Sequence, residues 1–152
     1  MPTCWIAMTT ADMRERAFRR LLTRETGTAN NSRAIAVATR RLCEHFARQV
    51  APVIGPGGIA AICARSLDLT QRRFPPVEPL RSSGDGSGLF EHLQIVLERQ
   101  RPRVAPRAAV VVLTTIGELL DSLIGESLTT HLLREAWPDD FAGDSSQETP
   151  PR

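Results

Sequence analysis

The length, composition and charge of this chain are those of one ordinary globular domain. Its 152 residues, 41% of them hydrophobic and 24% charged, are enough to build a hydrophobic core. The three cysteines form no CxxC pair, and no apolar run approaches the roughly 20 residues of a membrane span. We therefore expect a cytoplasmic protein that makes no contact with a membrane and has no disulfide framework.

All nineteen basic residues are Arg, and charge is distributed unevenly along the chain. The exclusive use of Arg favours a GC-rich bacterial coding sequence over selection for each side chain. Residues 1–76 contain twelve Arg against five acidic residues, whereas residues 77–152 contain seven Arg against twelve. This polarity predicts attraction of an anionic partner to the first half, or attraction between the halves or between two copies of the chain.

Apolar residues recur at helical spacing through most of the chain, which predicts an all-α fold. We expect a single compact bundle of five to six helices over residues 9–138, preceded by a flexible N-terminus at residues 1–8. The predicted helices cover residues 9–24, 33–51, 58–73, 89–97, 107–124 and 127–137.

Proline and glycine mark the predicted breaks between these helices. Pro52 and the sequence Gly-Pro-Gly-Gly at 55–58 separate the second helix from the third. Residues 75–88, rich in Pro, Ser and Gly, are expected to form a mobile loop, and residues 139–152 a disordered acidic tail. Gly125 either ends the fifth helix or bends it, so the pattern leaves five and six helices open.

The helix predicted at 107–124 has the widest apolar stripe, about 140° around its axis. Val110 and Val111 add apolar surface beside this stripe, and Leu120 lies in its middle. A helix of this kind forms either the core of a domain or the seam of a dimer. We take Val110, Val111 and Leu120 as candidate interface residues.

Catalytic and cofactor motifs are absent from the sequence. It has no GxSxG, no GxGxxG and no phosphate-binding loop ending in Lys. Several acids and one histidine crowd the last third of the chain, but they lack the inward Glu-x-x-His spacing of a bundle metal site. That set comprises Glu118, Asp121, Glu126, His131 and Glu135. The pattern favours a solvated face, and we expect no enzyme activity, no metal and no cofactor.

One segment resembles a DNA-binding motif in its pattern of residues. Residues 59–74 could form a helix-turn-helix in which Gln71, Arg72 and Arg73 reach bases and phosphates. Arg40 and Arg41 could add contacts to the backbone. Against this hypothesis, the turn position lacks a glycine and the apolar stripe continues through it without a change of phase.

Two functions therefore follow from the residues. The first is a small helical protein-protein interaction or regulatory protein, adaptor-like and without catalytic activity, that binds another protein or forms a homodimer. The alternative is a DNA-binding transcriptional regulator that uses the helix-turn-helix-like segment at 59–74. Nucleic acid is the less favoured partner of the two.

Overall fold

A computed structural model describes residues 10–27, 31–74 and 89–141 of the chain. Within these ranges the protein is all-α and compact, with six helices and no strand, as predicted. The flexible N-terminus expected at 1–8, the loop at 75–88 and residues 142–152 of the expected tail lie outside the described residues. The helices are α1 (Thr10–Thr26), α2 (Ser32–Arg73), α3 (Leu89–Glu98), α4 (Ala105–Ile124), α5 (Glu126–Ala136) and α6 (Pro138–Phe141).

The longest element, α2, is two helical arms joined through a single glycine. Gly55 has φ 77° and ψ 166°, a conformation that only glycine adopts without strain. Pro52 and Pro56 stand on either side of it, and neither can donate a backbone hydrogen bond. The predicted break between the second and third helices is therefore present, but it is formed by Gly55 alone rather than by the six residues 52–57.

Both ends of α2 return to the same residue, Gln100, which follows α3. The Ser32 hydroxyl at the start of α2 donates to the Gln100 carbonyl at 2.6 Å. The Gln100 side-chain amide donates to the carbonyl of Phe74, just after α2, at 3.0 Å. Because residues 42 positions apart share one partner, the two arms fold back on each other as a helical hairpin.

Helix α4 supplies the centre of the hydrophobic core and packs against both α1 and α2. Its predicted stripe is buried from Ala109 through Val112, Leu113 and Ile116 to Leu120, whereas Leu119 and Ile124 are half-buried and Leu123 is exposed. Small alanines at the N-terminal end let neighbouring helices approach closely, and larger side chains fill the space farther along. The helical periodicity of this segment was therefore interpreted correctly.

A buried arginine joins α1 to the C-terminal half of α4. The Arg14 guanidinium, with its side chain only 4% exposed, donates to both carboxylate oxygens of Asp121 at 2.7 and 3.0 Å. It also donates to the Thr130 hydroxyl of α5 at 3.2 Å. A Cβ at Gly117 would lie 3.2 Å from the guanidinium, so the missing side chain there makes room for Arg14.

The C-terminal end of the bundle differs from the sequence prediction. The expected tail begins at Asp139, but residues 138–141 form helix α6 and pack on α1. The Phe141 ring lies 5.5 Å from that of Phe18, and the buried Asp140 carboxylate pairs with Arg24. Four residues with an unremarkable local pattern are thus held by tertiary contacts, and the ordered domain extends through Phe141.

Gly125 resolves the choice between five and six helices. Its φ of 96° and ψ of 150° are not helical, so α4 ends there and α5 begins at the next residue. The Gly125 amide still donates to the Asp121 carbonyl at 3.0 Å, while its carbonyl accepts from Thr129. A single glycine therefore caps one helix and starts another.

Candidate functional site

The residues predicted to form an interface lie mostly inside the protein. Val110 and Leu120 are buried and Val111 is half-buried, because α4 is the core helix of this chain. Side chains already packed against their own chain present no surface to a partner in this conformation. Of the two roles that the stripe allowed, core and dimer seam, the structure places these residues in the core.

The segment proposed as a helix-turn-helix forms no turn. The arm of α2 that contains residues 59–73 is one uninterrupted helix, since Gly55 is the position with non-helical geometry inside α2. The two-helix unit that would present a recognition helix is therefore not formed there. Arg72 pairs with Asp68 at 3.1 Å, and the Arg73 guanidinium lies 5.6 Å from the centre of the Phe74 ring.

The other candidate nucleic-acid contacts lie on the first arm of α2 or next to Arg72. Arg40 is used within the fold, where it donates to Glu44 at 3.2 Å and to the Gln94 side chain of α3 at 3.1 Å. Arg41 is exposed on the same arm, and Gln71 is half-buried. Of the five residues, Arg41, Arg72 and Arg73 are therefore exposed to solvent.

The acids and histidine of the last third are also dispersed. Asp121 is occupied by Arg14, and His131 pairs with Glu135 at 3.3 Å on an exposed face of α5. Across residues 10–27, 31–74 and 89–141, no group of three or more His, Cys, Asp or Glu side chains is close enough to hold a metal ion.

An apolar cavity of about 20 Å³ lies between the two arms of α2, α4 and Trp137. Cys43 and Cys63 face it from opposite arms. Burial, followed by repulsion from Cys63 and Glu44, raises the pKa of Cys43, and burial raises the pKa of Cys63 to about 11. Both thiols are protonated at neutral pH, and the cavity has room for about one water molecule, far less than a cofactor needs.

Three exposed apolar side chains lie close in sequence to the bend of α2 or to the junction of α4 and α5. Leu123 is 59% exposed, Val53 43% and Leu128 37%. An open groove of about 470 Å³ lies between the second arm of α2 and α4; its lining is Gly58, Ala61, Ile62, Arg65, Leu119, Ser122 and Leu123. We call this groove, together with Val53 at the bend and Leu128 near the start of α5, the apolar end.

The apolar end was not recognised from the sequence, although a pattern for it was present. Residues 50–64 contain no charged or strongly polar side chain, which is unusual for an exposed helix-breaking segment. By length and composition α2 is the one helix in the described part of the chain that could span a membrane. Only 17% of its most apolar stretch is buried, whereas the core helix of a globular domain is mostly covered.

The opposite end of α4 carries arginines instead. Six exposed arginines lie close in sequence to the Ser32–Gln100–Phe74 junction or contact the Phe74 ring. We call this surface the arginine end; it consists of Arg33, Arg72, Arg73, Arg101, Arg103 and Arg107.

Comparison with known proteins adds no relative to these observations: no protein-family model, no curated protein and no solved structure matches the chain.

Proposed function

We propose that this chain is a small helical interaction protein without catalytic activity, and that it binds a second copy of itself through the apolar end. The observation that carries the proposal is an open groove lined by Ile62, Leu119 and Leu123, of which Leu123 is 59% exposed. Contiguous apolar surface in contact with water is costly, and in proteins it usually marks an interaction site.

The shape of the apolar end favours a second copy as its occupant. Leu123 projects beside a groove whose floor includes Gly58 and Ala61, so a large side chain and a space for one lie on the same surface. In a two-fold symmetric contact each copy offers the same patch, and Leu123 of one copy can enter the groove of the other. Such an interface needs no second protein of matching shape.

Charge supports the same occupant. The one ionisable side chain that lines the groove is Arg65, and it is paired with Asp68 at 3.5 Å. Two identical surfaces of this composition do not repel each other, and their polar rim stays in solvent. The adaptor or regulatory role then rests on the dimer, which doubles every other surface of the chain.

The experiment is a measurement of mass by sedimentation equilibrium between 1 and 200 µM. We expect wild-type protein to form a dimer, and Leu123→Glu to weaken it at least about 30-fold, or about 2 kcal/mol, because a carboxylate would be buried in the contact. Ile95→Glu is the matched control, since Ile95 is a similarly exposed apolar residue on α3. It should leave the dimer unchanged.

Three results would contradict the proposal. A wild-type mass of one chain at every concentration would remove the second copy as occupant. Equal weakening by Leu123→Glu and Ile95→Glu would show that the contact lies elsewhere. Flotation of the wild-type protein with lipid vesicles, lost on Leu123→Glu while the mass stays monomeric, would assign the apolar end to a membrane surface.

A further inference from the structure

The arginine end is assembled from three parts of the chain that meet around Gln100. Ser32 binds the Gln100 carbonyl, which places Arg33 at the junction, and the Gln100 amide binds the Phe74 carbonyl, which places Arg72 and Arg73 there. Arg101 and Arg103 follow Gln100 directly. The main-chain carbonyl and the side-chain amide of one buried glutamine therefore bring together charges that are up to 70 residues apart in sequence.

Few of these charges are neutralised within the fold. Arg72 shares Asp68 with Arg65, but within the described residues Arg33, Arg101 and Arg103 have no ion pair. From residue 101 to residue 107 the chain contains three Arg and no acid. Within the described residues, no carboxylate neutralises the positive charges of Arg33, Arg101 and Arg103.

The Phe74 ring lies between two of the guanidinium groups. Arg73 is 5.6 Å and Arg107 5.7 Å from the ring centre, both within the range of a cation-π contact. Because these guanidinium groups are held at one face by the ring rather than by carboxylates, their N–H donors remain available to acceptors in solvent. Planar guanidinium forks match the oxygens of a phosphate group.

The composition of the arginine end distinguishes a polyanion from a folded protein or a lipid surface. A protein interface needs an apolar centre, and membrane docking needs apolar side chains that insert. Among the described residues, the large exposed apolar side chains are Val53, Leu123 and Leu128 at the apolar end and Ile95 on α3. Binding to nucleic acid needs no such centre, because it is driven by release of counterions from phosphates.

We propose that the arginine end binds the phosphate backbone of a nucleic acid without reading its base sequence. No recognition helix is required, so the absence of a turn within residues 59–73 does not count against it. The site differs from the one expected from sequence, since Arg33, Arg101, Arg103 and Arg107 replace Arg40 and Arg41.

The test measures fluorescence anisotropy of a labelled 30-base-pair duplex, and of a 30-nucleotide single strand, with the full chain at 50 to 200 mM NaCl. We expect Kd values of about 1 to 100 µM for the duplex. If four of the six arginines contact phosphates, log Kd should rise with log salt with a slope of about 4. Several unrelated duplex sequences should bind alike.

A pair of double variants separates this surface from overall charge. Arg101→Ala/Arg103→Ala should weaken binding tenfold or more and reduce the salt slope by about 2. Arg16→Ala/Arg48→Ala removes the same charge from exposed positions outside the arginine end and should change Kd less than threefold. Leu123→Glu should still bind duplex, so a failure of the dimer proposal remains distinguishable from a failure of this one.

Other outcomes overturn the inference. Absence of duplex binding at 50 mM NaCl would overturn it. An equal loss of duplex affinity in the two double variants would also overturn it, because the net charge of the chain would then explain the binding. Binding to poly-glutamate with no binding to either nucleic acid would assign the surface to an acidic protein segment. Stronger binding of the single strand than of the duplex supports the inference and places a base on the Phe74 ring.

Discussion

The two ends of the bundle show how the same event, the end of a helix, can produce opposite surfaces. At the apolar end α2 reverses at Gly55 and α4 stops at Gly125, and the exposed side chains include Val53, Leu123 and Leu128 beside Ser122, Glu126 and Ser127. At the arginine end α2 starts and stops beside Gln100, and the exposed side chains are arginines. Arg107 and Leu123 are sixteen residues apart on α4, which is about 24 Å along its axis.

The difference teaches that the two surfaces proposed to bind partners both lie where helices end. Most residues of the apolar stripes are buried in the core, as Leu120 on α4 shows. Leu123 and Arg107 lie more than two Debye lengths apart at physiological salt, whereas Asp68 pairs with both Arg65 at the groove and Arg72 at the arginine end. Substitutions of Leu123 should therefore leave the arginine end unaffected, provided that the core between them stays intact.

The largest effect is expected from a charge placed in that core. Leu120 is 1% exposed, so Leu120→Asp would bury a carboxylate with no partner and should cost at least about 4 kcal/mol. That is a large share of the stability of a domain of this size, and both ends should be lost together. Urea unfolding followed by circular dichroism measures it.

A neighbouring residue provides the control. Leu123→Asp introduces the same carboxylate three residues later on α4, at a position that is 59% exposed in one chain. At a protein concentration low enough to keep the chain monomeric, it should change the free energy of unfolding by less than about 0.5 kcal/mol. If both variants unfolded alike, the orientation of α4 given by the structure would be wrong.

The second largest effect is expected from loss of the Arg14–Asp121 ion pair, which holds the end of α4 near Leu123. Arg14 holds Asp121, two residues before Leu123, and reaches Thr130 on α5. Arg14→Met removes one partner of a buried pair and should cost about 3 kcal/mol, because Asp121 keeps its charge without compensation. The matched control is Arg19→Met, whose pair with Glu15 at 2.9 Å is exposed and contributes about 0.5 kcal/mol or less.

This comparison also tests whether the two ends are independent. Arg14→Met should weaken the dimer along with stability, since it loosens the end of α4, but it should leave duplex binding at the arginine end within threefold of wild type. A loss of duplex binding in folded Arg14→Met protein would mean that the ends are coupled through the bundle.

Most of the fold could be predicted from periodicity, because each helix except α6 buries a regular stripe. The stripe of α4 and that of residues 59–74 are both present in the structure, with Ile62, Ser66, Leu67 and Thr70 buried. The four residues of α6 are too short for a period, and their order depends on Phe18 and Arg24, which are more than 110 residues away. No local pattern could show that contact.

The surfaces could not be predicted for a related reason. Which side of an apolar helix faces the core is visible in the sequence, but which apolar residues remain uncovered depends on how the arms of α2 fold back. Val110, beside the stripe of α4, and Leu120, in its middle, are the predicted interface residues that the structure buries, because this stripe packs in the core. Leu123 belongs to the same stripe and is exposed, one residue before α4 ends at Ile124.

The smallest expected effect is the pH dependence of the free energy of unfolding. It depends on Cys43 and Cys63, which lie between the two arms of α2. The chain has no Tyr and no Lys, so between pH 9 and pH 11 its cysteines are the side chains that titrate. The ordinary thiol pKa is 9.0, and burial raises that of Cys63 to about 11. The unfolded chain therefore loses protons first, and stability falls as pH rises from 9 to 11 while it is constant below 9.

At pH 10 the contribution of Cys63 is about 1 kcal/mol, measured as the difference in free energy of urea unfolding between pH 8 and pH 10. Cys43 acts in the same direction, since its pKa is also raised by burial. Cys43→Ala/Cys63→Ala should flatten this dependence, although it lowers stability at both pH values by enlarging the cavity. If the unfolding free energy depended on pH equally with and without the two thiols, the arms of α2 would be open to solvent at the apolar end. The surface proposed to bind a second copy would then not be the one that the closed hairpin presents.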